Sequence, residues 1–245
     1  MDILKAFTLS LVVFLAVGCT SAPIKPVSLD EHFYKEKTQK VGVYLDTLPK
    51  VNTYFPGAGC LLCLAAAEIA NSSVTDHVQA LSIEDIDGIV ADVESALDEK
   101  GLESVLVTKK MDLEKMSKFS APDAGPDQVI QYARKDFRSL KSSLGVDKLV
   151  LIDINQVGVI RSYQSYIPTT GPMGYLYGEV AIIDLNDNSY KMYESVNIKT
   201  VVVGEWDEPT TFPGITTAFY EALNILKERV KTLMEPSDNT VAAVK

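Results

Sequence analysis

Residues 145–160 read GVDKLVLIDINQVGVI, and residues 175–203 read YLYGEVAIIDLNDNSYKMYESVNIKTVVV. Leu149 to Ile152 is apolar at every position, which predicts a central strand covered on both faces and continuing toward Ile160. Tyr175 to Leu185 and Tyr190 to Val203 predict two more strands, joined through Asn186-Asp187-Asn188. Those turn residues tolerate positive φ and suit a tight hairpin. In the last strand Val196, Ile198, Thr200 and Val202 fall on one face; Ser195, Asn197 and Lys199 fall on the other, which is expected to meet water.

Outward from these strands, helical spacing takes over. Ile215, Phe219, Ala222, Leu226, Val230 and Leu233 form one stripe on a helix predicted from Pro213 to Met234. Upstream, Pro126 at a first helical position, the stripe Ile130, Ala133, Phe137, Leu140, Leu144 and the stop at Gly145 predict another helix. Residues Ser117 to Gly125 read as a polar loop, and Ser104 to Val107 as a strand. Ser82 as N-cap, Glu84 and Asp85 in the first turn, Gly101 at the end and the stripe Ile83, Ile86, Val90, Val93, Leu97 predict a helix between them. Val41 to Leu45 is a short strand, Pro49 to Gly59 a loop rich in Pro and Gly, and Cys60 to Ala67 a short apolar helix. The order predicts an α/β fold: a single domain over residues 40–234, with a mixed, largely antiparallel sheet flanked by helices.

The stretch from Gly145 to Val203, with its final helix, resembles the second half of the curli-secretion lipoprotein CsgG. It is also similar to the penicillin-binding-protein activator LpoB and the amino-terminal domain of TolB. The resemblance lies in the strand pattern and its D-x-N turn, and it implies a protein that binds or assembles without catalysing. No catalytic residue comes with it.

The amino terminus points to export. After Lys5, residues Ala6 to Val17 are apolar except for Thr8 and Ser10, which is the length of a secretory signal core and short of a membrane span. The run ends in Leu15-Ala16-Val17-Gly18-Cys19, which resembles the lipobox of bacterial lipoprotein signals. That resemblance implies a signal peptide over residues 1–18, cleavage before Cys19 and lipid on the Cys19 thiol, enough for stable anchoring. Thr20 is not the Asp that retains such proteins in the inner membrane, so the expected place is the outer membrane, facing the periplasm. Ser21 to Glu36, rich in proline and charge, reads as part of a lipidated tether over residues 19–39, and residues 235–245 as a flexible tail.

Cleavage before Cys19 would leave 227 of the 245 residues, enough for one full α/β domain. A formal net charge of −10 argues against nucleic acid, which needs clustered Lys and Arg, and against an electrostatic contact with anionic lipid. The expected partners are an envelope protein or the chain itself, with the membrane reached through the lipid. A secretion-channel subunit is the second reading, for which Gln156–Glu179 is the sole candidate for membrane strands, and its alternation is poor.

Chemistry-bearing patterns are few, and neither enzyme activity nor a cofactor is expected. Cys60-Leu-Leu-Cys63 has the spacing of a thiol oxidoreductase, and Gly57 and Gly59 would permit a helix start at Cys60. Apolar flanks and the lack of a βαβ frame weigh against that, leaving a local disulfide or buried thiols. The apolar run itself reads as core, or else as a patch facing a membrane or partner. His32 and His77 have no second ligand at metal spacing, and Asp184 to Asn188 lacks the distal Glu of a calcium loop. Thr170 to Gly174 lacks the Gly-Lys-Ser/Thr of a phosphate loop. The surface candidates are Tyr163, Tyr166, Met173, Tyr175 and Tyr177, gathered around Pro168, Gly171, Pro172 and Gly174. Tyrosines so placed either form a protein interface or cap and pack the sheet end.

Overall fold

The computed structural model describes residues 24–29, 31–122, 130–208 and 211–236. The predicted signal peptide, Cys19, the predicted helix start at Pro126 and nearly all of the predicted tail lie outside the described residues. In chain order the strands are β1 (Lys40–Leu45), β2 (Asn52–Tyr54), β3 (Glu103–Leu106), β4 (Lys148–Ile160), β5 (Tyr163–Gln164), β6 (Ile167–Pro168), β7 (Met173–Asp184) and β8 (Tyr190–Val201). The helices are α1 (Leu61–Ala70), α2 (Ser72–Gln79), α3 (Gly88–Glu99), α4 (Leu140–Leu144) and α5 (Pro213–Leu233). The main sheet runs β3-β1-β4-β7-β8, with β2 also paired to β4, while β5 and β6 form a separate small hairpin. β1 pairs in parallel with β3 and β4, and β2 in parallel with β4; β4, β7 and β8 form a long antiparallel meander. This is the predicted α/β class: a mixed, largely antiparallel sheet flanked by helices.

β4 organises the molecule because both its faces are apolar. Val150, Ile152 and Ile154 enter the core under α2, α3 and α5; Leu149 and Leu151 enter a second core on the opposite face. A register shift between Ile154 and Gln156 changes the parity of the strand, so Val157 and Val159 rejoin the helix-covered face. Gly158 makes the close approach of β2 possible: its φ is +145°, and a Cβ there would lie 1.9 Å from the Asn52 carbonyl oxygen. α5 supplies Ile215, Phe219, Ala222, Leu226 and Val230 to the core, with Ala218 and Leu223 beside them, while Leu233 is only partly covered. Burial of each large aliphatic or aromatic side chain stabilises such a core by about 1.5–3 kcal/mol.

Four expectations need correction. The helix predicted over 126–144 is confined to α4. Residues 130–137 run as irregular chain because their backbone groups bond elsewhere: Tyr190 N donates to the Gln131 carbonyl and Ala133 N to the Asn188 carbonyl. The helix predicted from Ser82 starts with a 3₁₀ turn, Glu84–Asp87, and becomes α3 only at Gly88; Ile89 joins Ile86, Val93 and Leu97 in its buried stripe. The 49–59 loop contains β2. Residues 24–29 and 31–39, read as part of the tether, lie against the domain. Val27 exchanges two backbone hydrogen bonds of 2.9 Å with Tyr193 at the β8 edge, and Leu29, Phe33 and Tyr34 are buried in the main core. A stretch short on apolar residues still packs when each of them finds a site. Among the described residues, no helix is long and apolar enough to cross a membrane.

Candidate functional site

α1 follows directly from a turn that only glycine permits. Gly57 has φ +88°, and a Cβ there would meet the Tyr163 carbonyl oxygen at 1.8 Å. The chain then reaches Cys60, which caps the helix: the Cys63 N–H donates to Cys60 Sγ at 2.9 Å. Cys60 and Cys63 are joined in a disulfide, with Cα atoms 4.9 Å apart. The other end is held by buried Asn71. Its Nδ2 donates to the Ala67 carbonyl at 2.6 Å and to Tyr163 Oη at 2.7 Å, and Arg161 donates to its Oδ1 at 2.8 Å.

Both ends of α1 are thus fixed, yet only Cys63 and Ala67 of its ten residues are buried. They pack with Ala58, Phe55 and Tyr163. The rest of a helix that is apolar almost all round faces outward: Leu61 is 88% exposed, Leu62 73% and Ile69 77%. The tip of the β5–β6 hairpin adds Tyr166 at 58% and Ile167 at 68%. The hairpin lies against the helix start, with Tyr166 Oη 3.9 Å from Cys60 Sγ and Ser165 Oγ 3.3 Å from Cys63 Sγ.

A second exposed surface lies on the sheet. Residues 107–116 and 133–137, with the 24–27 segment, cover the half of one face that carries Leu149, Leu151, Ala181 and Ile183. The other half of that face leaves Tyr177, Asn197, Lys199 and Val201 exposed. Tyr177 pairs with Asn197 and Tyr175 with Lys199 across the β7–β8 ladder. Tyr175 is edge-on to Tyr54 at 5.7 Å, and Lys199 Nζ lies 5.9 Å from its ring. Burial first, then Tyr177 and Tyr54, push the Tyr175 hydroxyl up from its ordinary pKa.

The five surface candidates therefore separate. Tyr163 and Tyr175 are buried packing residues, and Met173 is half-buried. Tyr166 belongs to the α1 surface and Tyr177 to the sheet surface. The sequence reading left Leu61 and Leu62 open between core and an outward-facing patch, and did not single out Ile69 and Ile167 as exposed groups. The available signal was the unbroken apolar run from Cys60 to Ala67, which lacks the polar stripe of an ordinary surface helix. The Gln156–Glu179 segment does not form a free hairpin: its β4 and β7 parts are built into the sheet centre.

Between the sheet and the irregular chain that covers half of one face lies a pocket of about 240 Å³, lined by Ile24, Arg134, Asp153, Asn155, Glu179 and Tyr190 among others. Burial, with help from Glu179 and Asp46, raises the Asp153 carboxyl to about 6. Tyr193 Oη donates to Glu179 Oε2 at 3.1 Å. Among the described residues, no group of three or more His, Cys, Asp or Glu is placed to hold a metal ion. His77 bonds Thr216 Oγ1 at 2.7 Å and lies against Phe212, a packing arrangement.

No protein-family model matches the sequence, and no curated protein matches it. Among solved structures, the chain is similar to protein XCC0632 from Xanthomonas campestris, at 12% identity over 87% of this chain and 94% of that one, with a TM-score of 0.38. It is similar to lipoprotein GNA1162 from Neisseria meningitidis at 11% identity, over 78% of this chain and 99% of that one, TM-score 0.29. The PelC dodecamer from Paraburkholderia phytofirmans gives 8% identity, 83% and 95% coverage, TM-score 0.27. Likenesses at this level carry no argument about function. None of these three is a CsgG, LpoB or TolB protein by name, so that resemblance rests on the strand pattern alone.

Proposed function

We propose that the chain is a non-enzymatic lipoprotein of the bacterial envelope, held to the outer membrane by lipid on Cys19 and facing the periplasm, which binds an envelope protein or a second copy of itself. The lipobox-like Leu15 to Cys19 supports the anchor. The observation that carries the binding role is the uncovered half of the sheet face, where Tyr177, Asn197 and Lys199 stand side by side on a rigid meander. An aromatic ring among hydrogen-bonding groups and one cation is the composition of a non-obligate protein contact. The strands beneath hold it in place, so little entropy is lost on docking.

A photo-crosslinking residue placed at Tyr177, and another at exposed Glu228 on α5, test this in intact envelopes. The reading expects a discrete adduct from position 177 that is at least tenfold weaker when Lys199→Glu is added, and none from position 228. Equal, diffuse labelling from both positions would contradict it.

A further inference from the structure

We propose that α1 and the β5–β6 tip form a membrane-interface element: they lie in the lipid surface that carries the Cys19 anchor, with Leu61, Leu62, Ile69 and Ile167 among the acyl chains. The proposal rests on the anchor reading above and adds a second, non-covalent contact to it.

Three observations favour lipid over protein. The first is composition. α1 reads LLCLAAAEIA, with Glu68 as its single charge. Apart from Glu68, its exposed side chains have no hydrogen-bonding group to offer a partner, whereas protein interfaces are enriched in Tyr, Trp and Arg. Lipid asks for none. Tyr166, at the border, has an apolar ring and a polar tip, which suits the headgroup level.

The second is area. Leu61, Leu62, Ile69 and Ile167 each leave more than two thirds of their surface to solvent, and large apolar side chains exposed together mark an interaction surface. The ten residues of α1 make a rod of about 15 Å, too short to span a bilayer and suited to lying in its plane.

The third is the path of the chain. Val27 pairs antiparallel with Tyr193, so residues before it head toward the end of the sheet where β4 finishes. That is the end where α1 and the hairpin stand, because Tyr163 follows directly on β4. Ile24 lines the same pocket as Asn155. The five peptide steps from Ile24 back to Cys19 reach at most about 17 Å. The rest of β4, from Asn155 to Ile160, covers about the same 17 Å. Lipid on Cys19 can therefore reach the level of α1. With a net charge of −10, this contact owes nothing to anionic lipid.

The test uses the chain from residue 20 onward, which contains every described residue and no acyl chain, exported under an ordinary cleavable signal. Flotation with phosphatidylcholine–phosphatidylethanolamine vesicles should carry it into the lipid layer. Leu61→Asp/Leu62→Asp should reduce flotation at least tenfold, with the melting temperature unchanged because both side chains already face water. Adding phosphatidylglycerol should give no gain. A parent chain that stays at the bottom, or a double variant that floats like the parent, overturns the proposal. If the parent does not float and the double variant instead abolishes the Tyr177 adduct, the surface belongs to a protein. None of these outcomes touches the anchor, which is read separately through lipid on Cys19.

Discussion

Asp153 stands opposite Glu179 in the β4–β7 ladder, two carboxylates at the wall of one pocket. Burial raises the Asp153 carboxyl to about 6, Glu179 and Asp46 add to the rise, and the Asn155 side chain and then Lys135 oppose it. The unfolded value is about 3.9, so the folded chain holds this proton more tightly. The group therefore favours the fold below about pH 4, and that contribution is lost as pH rises through about 6. Asp153→Asn cannot ionise. It should melt above the parent at pH 7.5 and level with it at pH 4, as thermal unfolding at the two pH values would show. An equal difference at both would refute the assignment. Asp184 behaves in the opposite sense. Burial alone would raise it, but hydrogen bonds from the Asn186 backbone, Lys148 and the Asn186 side chain together hold it at about 2, so its contribution persists until strong acid. The Asp153–Glu179 pair could not be read in the sequence, because only the register of two strands brings these residues together.

At the scale of elements, the β7–β8 turn decides the fate of residues 130–137. Asn188 is fully buried with φ +68°. Its Oδ1 accepts from Phe137 N at 2.9 Å, and its Nδ2 donates to the Ala133 and Lys135 carbonyls, both at 2.9 Å. Asn188→Ala would leave those three backbone groups without that partner and place a less tolerant residue at positive φ. It should cost about 3 kcal/mol in urea unfolding, and a loss below about 1 kcal/mol would show that the 130–137 segment is held by other means. This capture explains why a good helical stripe did not yield a helix: the competing partners lie more than fifty residues away. Elements whose pattern met no such competitor were legible, namely β4, β7, β8, α5 and the core of α3. α1 was legible as a helix, but the sequence left its apolar run open between core and an outward-facing patch. An apolar run is ordinarily covered, and what covers it depends on which neighbours the topology supplies.

The whole molecule is a meander sheet with helices on one face and irregular chain on half of the other. At one sheet end stands the apolar α1 surface, and beside it lies the uncovered strand face with Tyr177. Traced back from its pairing with Tyr193, the segment from Val27 to Ile24 runs toward that same end. This arrangement makes sense for a chain fixed to a membrane and working by contact. Its premise is lipid on Cys19. Metabolic labelling with radioactive palmitate, comparing the parent with Cys19→Ser in envelopes, reads that premise without reference to how tightly the domain itself holds lipid. The account predicts label in the parent and none in the variant; an unlabelled parent, or a variant labelled as strongly as the parent, would contradict it.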